Sequence, residues 1–387
     1  MTTSEERKRI ASAVDHLTGE STRLHLALLT VQLSYGVYYV LTKSAMSGGV
    51  NQFVFAVYRE VIALCFIVPL AYYTEKELRR PLTFQTSLLI FVLGFVGIFL
   101  QQTLFLAGLS LTNTTFAAAL QNAIPVFTFM IAVVCRIETI RFRKMDGIAK
   151  LVGMLAAVTG ALIMCLYKGK MLFGQERSDD AGLHSPFPRS NAFGAGYFTS
   201  FLLGLGIDTW QIGALCLVAN CFCMAVYTNL QIPVLRRFPA PVSLSAFSIF
   251  IGSLALVATG VASVTRASEW ILSSRASILS VVYAGVFASG LNFSLLTWAN
   301  QHGGPVLVAA YIPLQAVFSG FLGVVILEDP LYAGSVIGAM LILMGLYLVI
   351  WGQNLQKVAT ERESFVKPFS GVMDISVKEP LLVGISR

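Results

Sequence analysis

Ten stretches of about twenty apolar residues, separated by polar connectors, decide what this chain can become. They run at Leu24–Met46, Phe53–Tyr73, Ser87–Gly108, Thr114–Cys135, Gly147–Tyr167, Thr209–Leu230, Pro241–Ser263, Ser277–Ala299, Pro305–Leu327 and Tyr332–Gly352. A helix of that length reaches about 30 Å, the thickness of a hydrocarbon core. Barrel strands would alternate polar and apolar residues over about ten positions, and these segments do not. Charged residues make up only 12% of the chain, against roughly 25% in soluble domains, while 56% is hydrophobic. The expected fold class is therefore an all-α membrane protein with ten transmembrane helices, its partner the lipid bilayer.

The formal net charge of +7 resides in tails and connectors. No basic patch carries interleaved aromatics, so no nucleic-acid partner is expected. An even number of spans puts both termini on one side. If that side is cytoplasmic, the inner segments hold the basic runs Arg7–Arg9, Arg79–Arg80, Arg141–Lys144 and Arg236–Arg237, as the positive-inside rule prefers. The N-terminus lacks a short apolar region with a small-residue cleavage site, so span one is expected to serve as the anchor. Cys65, Cys135, Cys165, Cys216, Cys221 and Cys223 all lie in or at the end of apolar segments, as buried free thiols would. No disulfide framework is expected.

The expected organisation is an N-terminal tail at 1–23, five helices at 24–167, a linker at 168–208, five more helices at 209–352 and a polar, disordered C-terminal tail at 353–387. The linker is rich in Gly, Ser, Pro and Asp and reads as mobile. The two halves look related. With a shift of about 190 positions Gln102 meets Asn292, Ala119 meets Ala309 and Glu138 meets Glu328. Gln32 meets Asn220, and Gly153-x6-Gly160 meets Gly338-x6-Gly345. An odd number of helices per repeat inverts the second copy, an architecture that places transport sites near the midplane.

Polar residues inside the spans mark candidate positions. Gln32, Tyr35, Gly36, Tyr39 and Lys43 share one face of span one and are expected to face protein or a water-filled cavity. Span three carries Gly94, Gly97 and Gly108, which suit close helix packing, beside Gln101 and Gln102. Gln121 and Asn122 precede Pro125 in span four, and Tyr311 and Gln315 flank Pro313 in span nine. Proline frees a backbone carbonyl and kinks a helix. Two broken helices in corresponding halves point to a binding site. Asn220 and Asn292 add amides in spans six and eight. Arg59 is the sharpest residue, roughly 9–12 Å into span two at 1.5 Å per residue. It reads either as a cation for a substrate carboxylate or as a side chain snorkelling to the headgroups. Adjacent Glu60 points about 100° away on a helix, so another partner, such as Lys43, is expected for it. It is the only strong candidate for proton coupling. Facilitated diffusion is the alternative.

Enzyme signatures are missing. There is no His-Glu-x-x-His, no Walker loop and no Gly-x-Ser-x-Gly elbow, and the four histidines are scattered. No catalytic residue, metal or cofactor is expected. Asn113-Thr114-Thr115 and Asn292-Phe293-Ser294 are formal glycosylation sequons in unsuitable places, a minimal loop and a span. Val57-Tyr58-Arg59, Gln121-Asn122-x-x-Pro125, Arg136-Ile137-Glu138 and Lys168-Gly169 together resemble the plant drug/metabolite exporter family, the walls-are-thin-related or UMAMIT proteins with two EamA modules. That resemblance covers about Leu24–Gly352. It implies two inverted five-helix modules around a central cavity, with Arg59, Gln121 and Asn122 as cavity residues. It also implies bidirectional or export transport of amino acids in many members and auxin in some. A sugar-nucleotide exchanger, a wider organic-anion carrier and a membrane scaffold are the alternatives, as monomer or homodimer. Glu379-Pro380-Leu381-Leu382 resembles an acidic dileucine signal, although Val377 and Lys378 stand where an acid is usual. The plasma membrane is expected, with the vacuolar membrane as the alternative.

Overall fold

A computed structural model describes residues 2–47, 49–78, 81–112, 114–137, 144–167, 169–173, 208–264, 266–272, 274–326 and 330–373. Among them ten helices are long and apolar enough to cross a membrane: Ser21–Thr42, Gln52–Thr74, Phe84–Leu111, Phe116–Val134, Met145–Leu166, Thr209–Arg237, Pro241–Ser263, Arg275–Gly303, Pro305–Ile326 and Ala333–Gln356. Helices satisfy their own backbone groups, which lipid cannot do. These are spans one to ten. Five per half put the termini at one end of the bundle, here the terminal face. Span five ends and span six begins at the other end, the linker face.

The halves interlock in pairs that exchange when the halves are swapped. Span one packs on spans eight and nine, and span six packs on spans three and four. Span two meets span seven and also span eight, just as span seven meets span three. Spans five and ten form the most extensive contact. Its seam is the glycine repeat: a Cβ on Gly153 would stand 2.6 Å from the Gly345 carbonyl oxygen, and one on Gly160 would stand 2.7 Å from that of Gly338. The two motifs that matched in sequence therefore meet in space, antiparallel and backbone to backbone. Across the linker face, β1 (Met171–Phe173) pairs antiparallel with β2 (Leu331–Tyr332), joining the ends of spans five and ten.

The expected helix breaks are present. Span four divides into Thr114–Gln121 and Ile124–Val134, and span nine into Pro305–Ala310 and Leu314–Ile326. Pro69 and Pro233 lie inside unbroken helices. A second kind of irregularity has no sequence marker. Phe95–Leu100 in span three and Ala284–Leu291 in span eight are π-helical, at equivalent places in the two halves. Each turn immediately precedes the amides of its span, Gln101-Gln102 and Asn292.

Two expectations are corrected. The terminal tails do not end at the membrane boundary: helix runs from Thr2 through span one, and span ten continues to Met373. Both extensions are rich in helix formers, which prolong an established helix at little cost. The six cysteines are unpaired, yet Cys65 and Cys135 lie on the outer surface. In a bilayer that surface is as apolar as the core, so burial is not required there. Glu138, Lys168, Glu328, the bulk of the linker and the dileucine-like tail lie outside the described residues.

Candidate functional site

Four spans converge on Arg59. Its side chain is only 11% exposed and does not reach for the headgroups. Nη2 donates to Gln102 Oε1 of span three at 2.7 Å. Nη1 donates to the Tyr38 hydroxyl of span one at 3.1 Å, with the guanidinium 5.9 Å from the Tyr38 ring centroid. Nη2 and Nε both donate to Glu60 Oε1, at 2.6 and 3.0 Å. Ser289, inside the π-turn of span eight, donates to the same Glu60 oxygen at 3.2 Å.

This corrects the partner expected for Glu60. The Cβ vectors of residues 59 and 60 diverge, but the long arginine side chain folds back over the helix and reaches its neighbour. The Lys43 side chain lies outside the described atoms. A buried charge alone is costly, about 2.5–3.5 kcal/mol at the centre of a span on insertion scales. Pairing offsets that cost without making the pair a net source of stability. One atom is left over: Glu60 Oε2 is buried and has no hydrogen-bond partner among the described residues.

The other expected residues divide into those near this cluster and those apart from it. The Tyr35 and Tyr39 rings lie 6.5 and 5.6 Å from that of Tyr38. Gln315 Nε2 stands 3.5 Å from the Tyr39 hydroxyl, at the limit of a hydrogen bond. Asn292 donates to Ser34 of span one at 3.2 Å. Gln32 is buried, with its Oε1 unpartnered. The expected amides Gln121 and Asn220 instead form a cross-brace. Gln121 donates to the Asn220 side chain at 3.1 Å, and Asn220 donates to the Gln101 backbone carbonyl at 2.7 Å, tying spans three, four and six. Asn122 turns into its own helix and donates to the Ala118 and Ala119 carbonyls beside the Pro125 break. Tyr311 bonds His25 at 2.8 Å near the terminal face, away from Arg59. Gly97 packs against the Tyr227 ring and Gly94 against Ile251, the packing role expected for those glycines.

Sequence reading missed Tyr38 and Ser289, which join the cluster, because neither is unusual in a helix. It also missed Glu75. This buried carboxylate ends span two and accepts from the Val242 and Ser243 backbone N–H groups at 2.9 and 2.7 Å, capping span seven. No cluster of three or more metal-ligating side chains occurs among the described residues.

The EamA-like transporter family model matches residues 22–166 and 211–351, one match per half. The chain belongs to the EamA-like transporter family. Its relatives include an auxin-induced protein of Pinus taeda, 35% identical over 87% of this chain and 80% of that one. Protein WALLS ARE THIN 1 of Arabidopsis thaliana is 33% identical over 87% and 85%. A WAT1-related protein of the same plant is 34% identical over 94% and 90%. A solved crystal structure aligns with a TM-score of 0.64 at 17% identity, covering 86% of this chain and 99% of that one, and supports the fold alone. As an EamA-like protein, the molecule is a multi-pass membrane transporter of small molecules.

Proposed function

We propose that this EamA-like transporter carries amino acids as zwitterions by alternating access, as a bidirectional facilitator or exporter. One observation carries the reading: a cation and an anion stand side by side inside the spans, and the anion has an oxygen without a partner among the described residues. An α-carboxylate is the natural ligand of a guanidinium, and an α-ammonium is the natural donor to Glu60 Oε2. A substrate bearing both charges engages both side chains and leaves neither with an unpaired charge. Gln102, Tyr38 and Ser289 hold the two groups in place. Glu60 then acts as counter-ion and ammonium receptor, which favours facilitated diffusion over proton coupling.

Auxin is the second reading. The rings of Tyr35, Tyr38 and Tyr39 beside Arg59 suit an aromatic carboxylate, and one relative is named for induction by auxin. Such an anion satisfies Arg59 but meets the Glu60 carboxylate as a like charge. A sugar nucleotide, with its diphosphate, calls for more cations than Arg59 supplies. The terminal face is taken as cytoplasmic on the distribution of Lys and Arg, in the plasma membrane with the vacuolar membrane as the alternative. The test is flux of labelled amino acids and auxin in proteoliposomes, with and without a pH gradient. Gradient-insensitive amino-acid flux supports the reading. Gradient-driven auxin flux with no amino-acid flux replaces it.

A further inference from the structure

A file of buried polar side chains runs from Glu60 towards the terminal face. Tyr227 of span six lies within electrostatic reach of Glu60, and its hydroxyl lies beside Gln231 and Thr297. That hydroxyl makes no hydrogen bond of good geometry. Gln231 donates to Thr297 Oγ1 at 3.2 Å and accepts from Asn300 Nδ2 at 2.8 Å. Asn300 is fully buried in span eight and also donates to the Thr228 carbonyl at 2.7 Å. Its Oδ1 has no partner among the described residues. Asn300 also lines a cleft of about 230 Å³ with Arg236, Gln301, Gly304 and Pro305. These residues are the terminal-face ends of spans six and eight and the start of span nine.

Most buried polar atoms in folded proteins are satisfied, because an unpaired one costs free energy, and the few others here include Asn229 Oδ1 and Ser248 Oγ. Here three atoms without a hydrogen bond of good geometry among the described residues succeed one another: Glu60 Oε2, the Tyr227 hydroxyl and Asn300 Oδ1. Two are pure acceptors. They are suited to a passing N–H donor, and the cleft adds the Arg236 guanidinium as a site for an anion. The volume is below the about 300–1,000 Å³ of drug-sized sites, which fits a small metabolite.

We propose that this cleft is a terminal-face docking station for an amino-acid zwitterion. Arg236 takes the carboxylate, Asn300 Oδ1 takes the ammonium, and the Tyr227–Gln231–Thr297 file leads the molecule to Arg59 and Glu60. The inference rests on the amino-acid reading above, and its failure is separable from that reading's failure.

Sided proteoliposomes separate the two. An amino acid transported by the parent protein is first identified from a panel. Absence of any such flux defeats the substrate reading and this inference with it. Given flux, Arg236→Gln is compared with Arg236→Lys, which keeps the charge that sets topology. The expected result for Arg236→Gln is a KM raised about tenfold for uptake from the terminal face, with the linker-face KM changed less than twofold. Arg236→Lys is expected to lie between Arg236→Gln and the parent. A terminal-face KM unchanged from the parent, or raised by the same factor as the linker-face KM, in Arg236→Gln overturns the station while leaving amino-acid transport standing. Independently, Gln301→Cys in a Cys135→Ser background is treated from the terminal face with a membrane-impermeant thiol reagent. Labelling that falls when the transported amino acid is present supports the station. Labelling indifferent to it, or no labelling, counts against it.

Discussion

Glu60 receives two hydrogen bonds from its sequence neighbour Arg59 through a single carboxylate oxygen, and its second oxygen is buried without a partner among the described residues. Adjacent residues on a helix rarely share a functional contact, because their side chains leave the axis about 100° apart. The guanidinium spans that angle, and Gln102 and Tyr38 fix it there.

Breaking the pair from one side should cost far more than removing both charges. Glu60→Gln leaves Arg59 buried beside a neutral amide, and the loss of one partner of a buried pair is worth about 3–5 kcal/mol. The double variant Arg59→Gln/Glu60→Gln removes both charges and should recover most of that loss. Thermal unfolding in detergent gives the stability and amino-acid uptake the function. The double variant is expected to be folded and inactive. A double variant as unstable as Glu60→Gln would contradict the coupling.

The seam between spans five and ten leaves no room for a side chain at its four repeat glycines, Gly153, Gly160, Gly338 and Gly345. Gly160→Val places its Cβ 2.7 Å from the Gly338 carbonyl oxygen and adds two methyl groups where the backbones touch. Overpacking of this kind costs about 1–3 kcal/mol or more. Size-exclusion profiles should show loss of the monodisperse protein. The same change at Gly49, where nothing lies within 4 Å but the backbone φ is +82°, tests local strain and not packing.

Glu75 should contribute to stability without setting selectivity. Glu75→Ala uncovers the Val242 and Ser243 N–H groups at the start of span seven, worth about 1–2 kcal/mol by helix-cap precedent. Glu75→Gln keeps an acceptor oxygen and should lose less. A lower unfolding temperature, with the ranking among competing amino acids unchanged, is the expected outcome. A changed ranking would show that the carboxylate senses substrate.

Much of this architecture is legible in the residues, for physical reasons. Lipid demands apolar helices, so ten spans stand out, and proline removes a donor, so the breaks at Pro125 and Pro313 are marked in advance. The glycine repeats were visible as a pattern, and their meeting follows from inverted halves. The cluster around Arg59 was half visible. Arg59 and Gln102 are conspicuous in apolar segments, whereas Tyr38 and Ser289 are unremarkable in composition and acquire a role only when four spans converge. The π-turns have no residue signature, because hydrogen bonds shift by one residue without a breaker. The amides show the opposite error. Asn122 and Asn220 looked like cavity residues, yet much of their bonding capacity is spent on helix backbones, and one chain of letters cannot separate a satisfied amide from a waiting one.

The central claim is that Arg59 and Glu60 recognise the two charges of one substrate. Competition against labelled amino-acid uptake tests it most directly, using an amino acid, its deaminated carboxylic acid and its decarboxylated amine. The account predicts that the intact zwitterion competes at least tenfold better than either half-molecule, and that Arg59→Ala abolishes uptake while the protein still reaches the membrane. Equal competition by the deaminated acid, or normal uptake by Arg59→Ala, would contradict it.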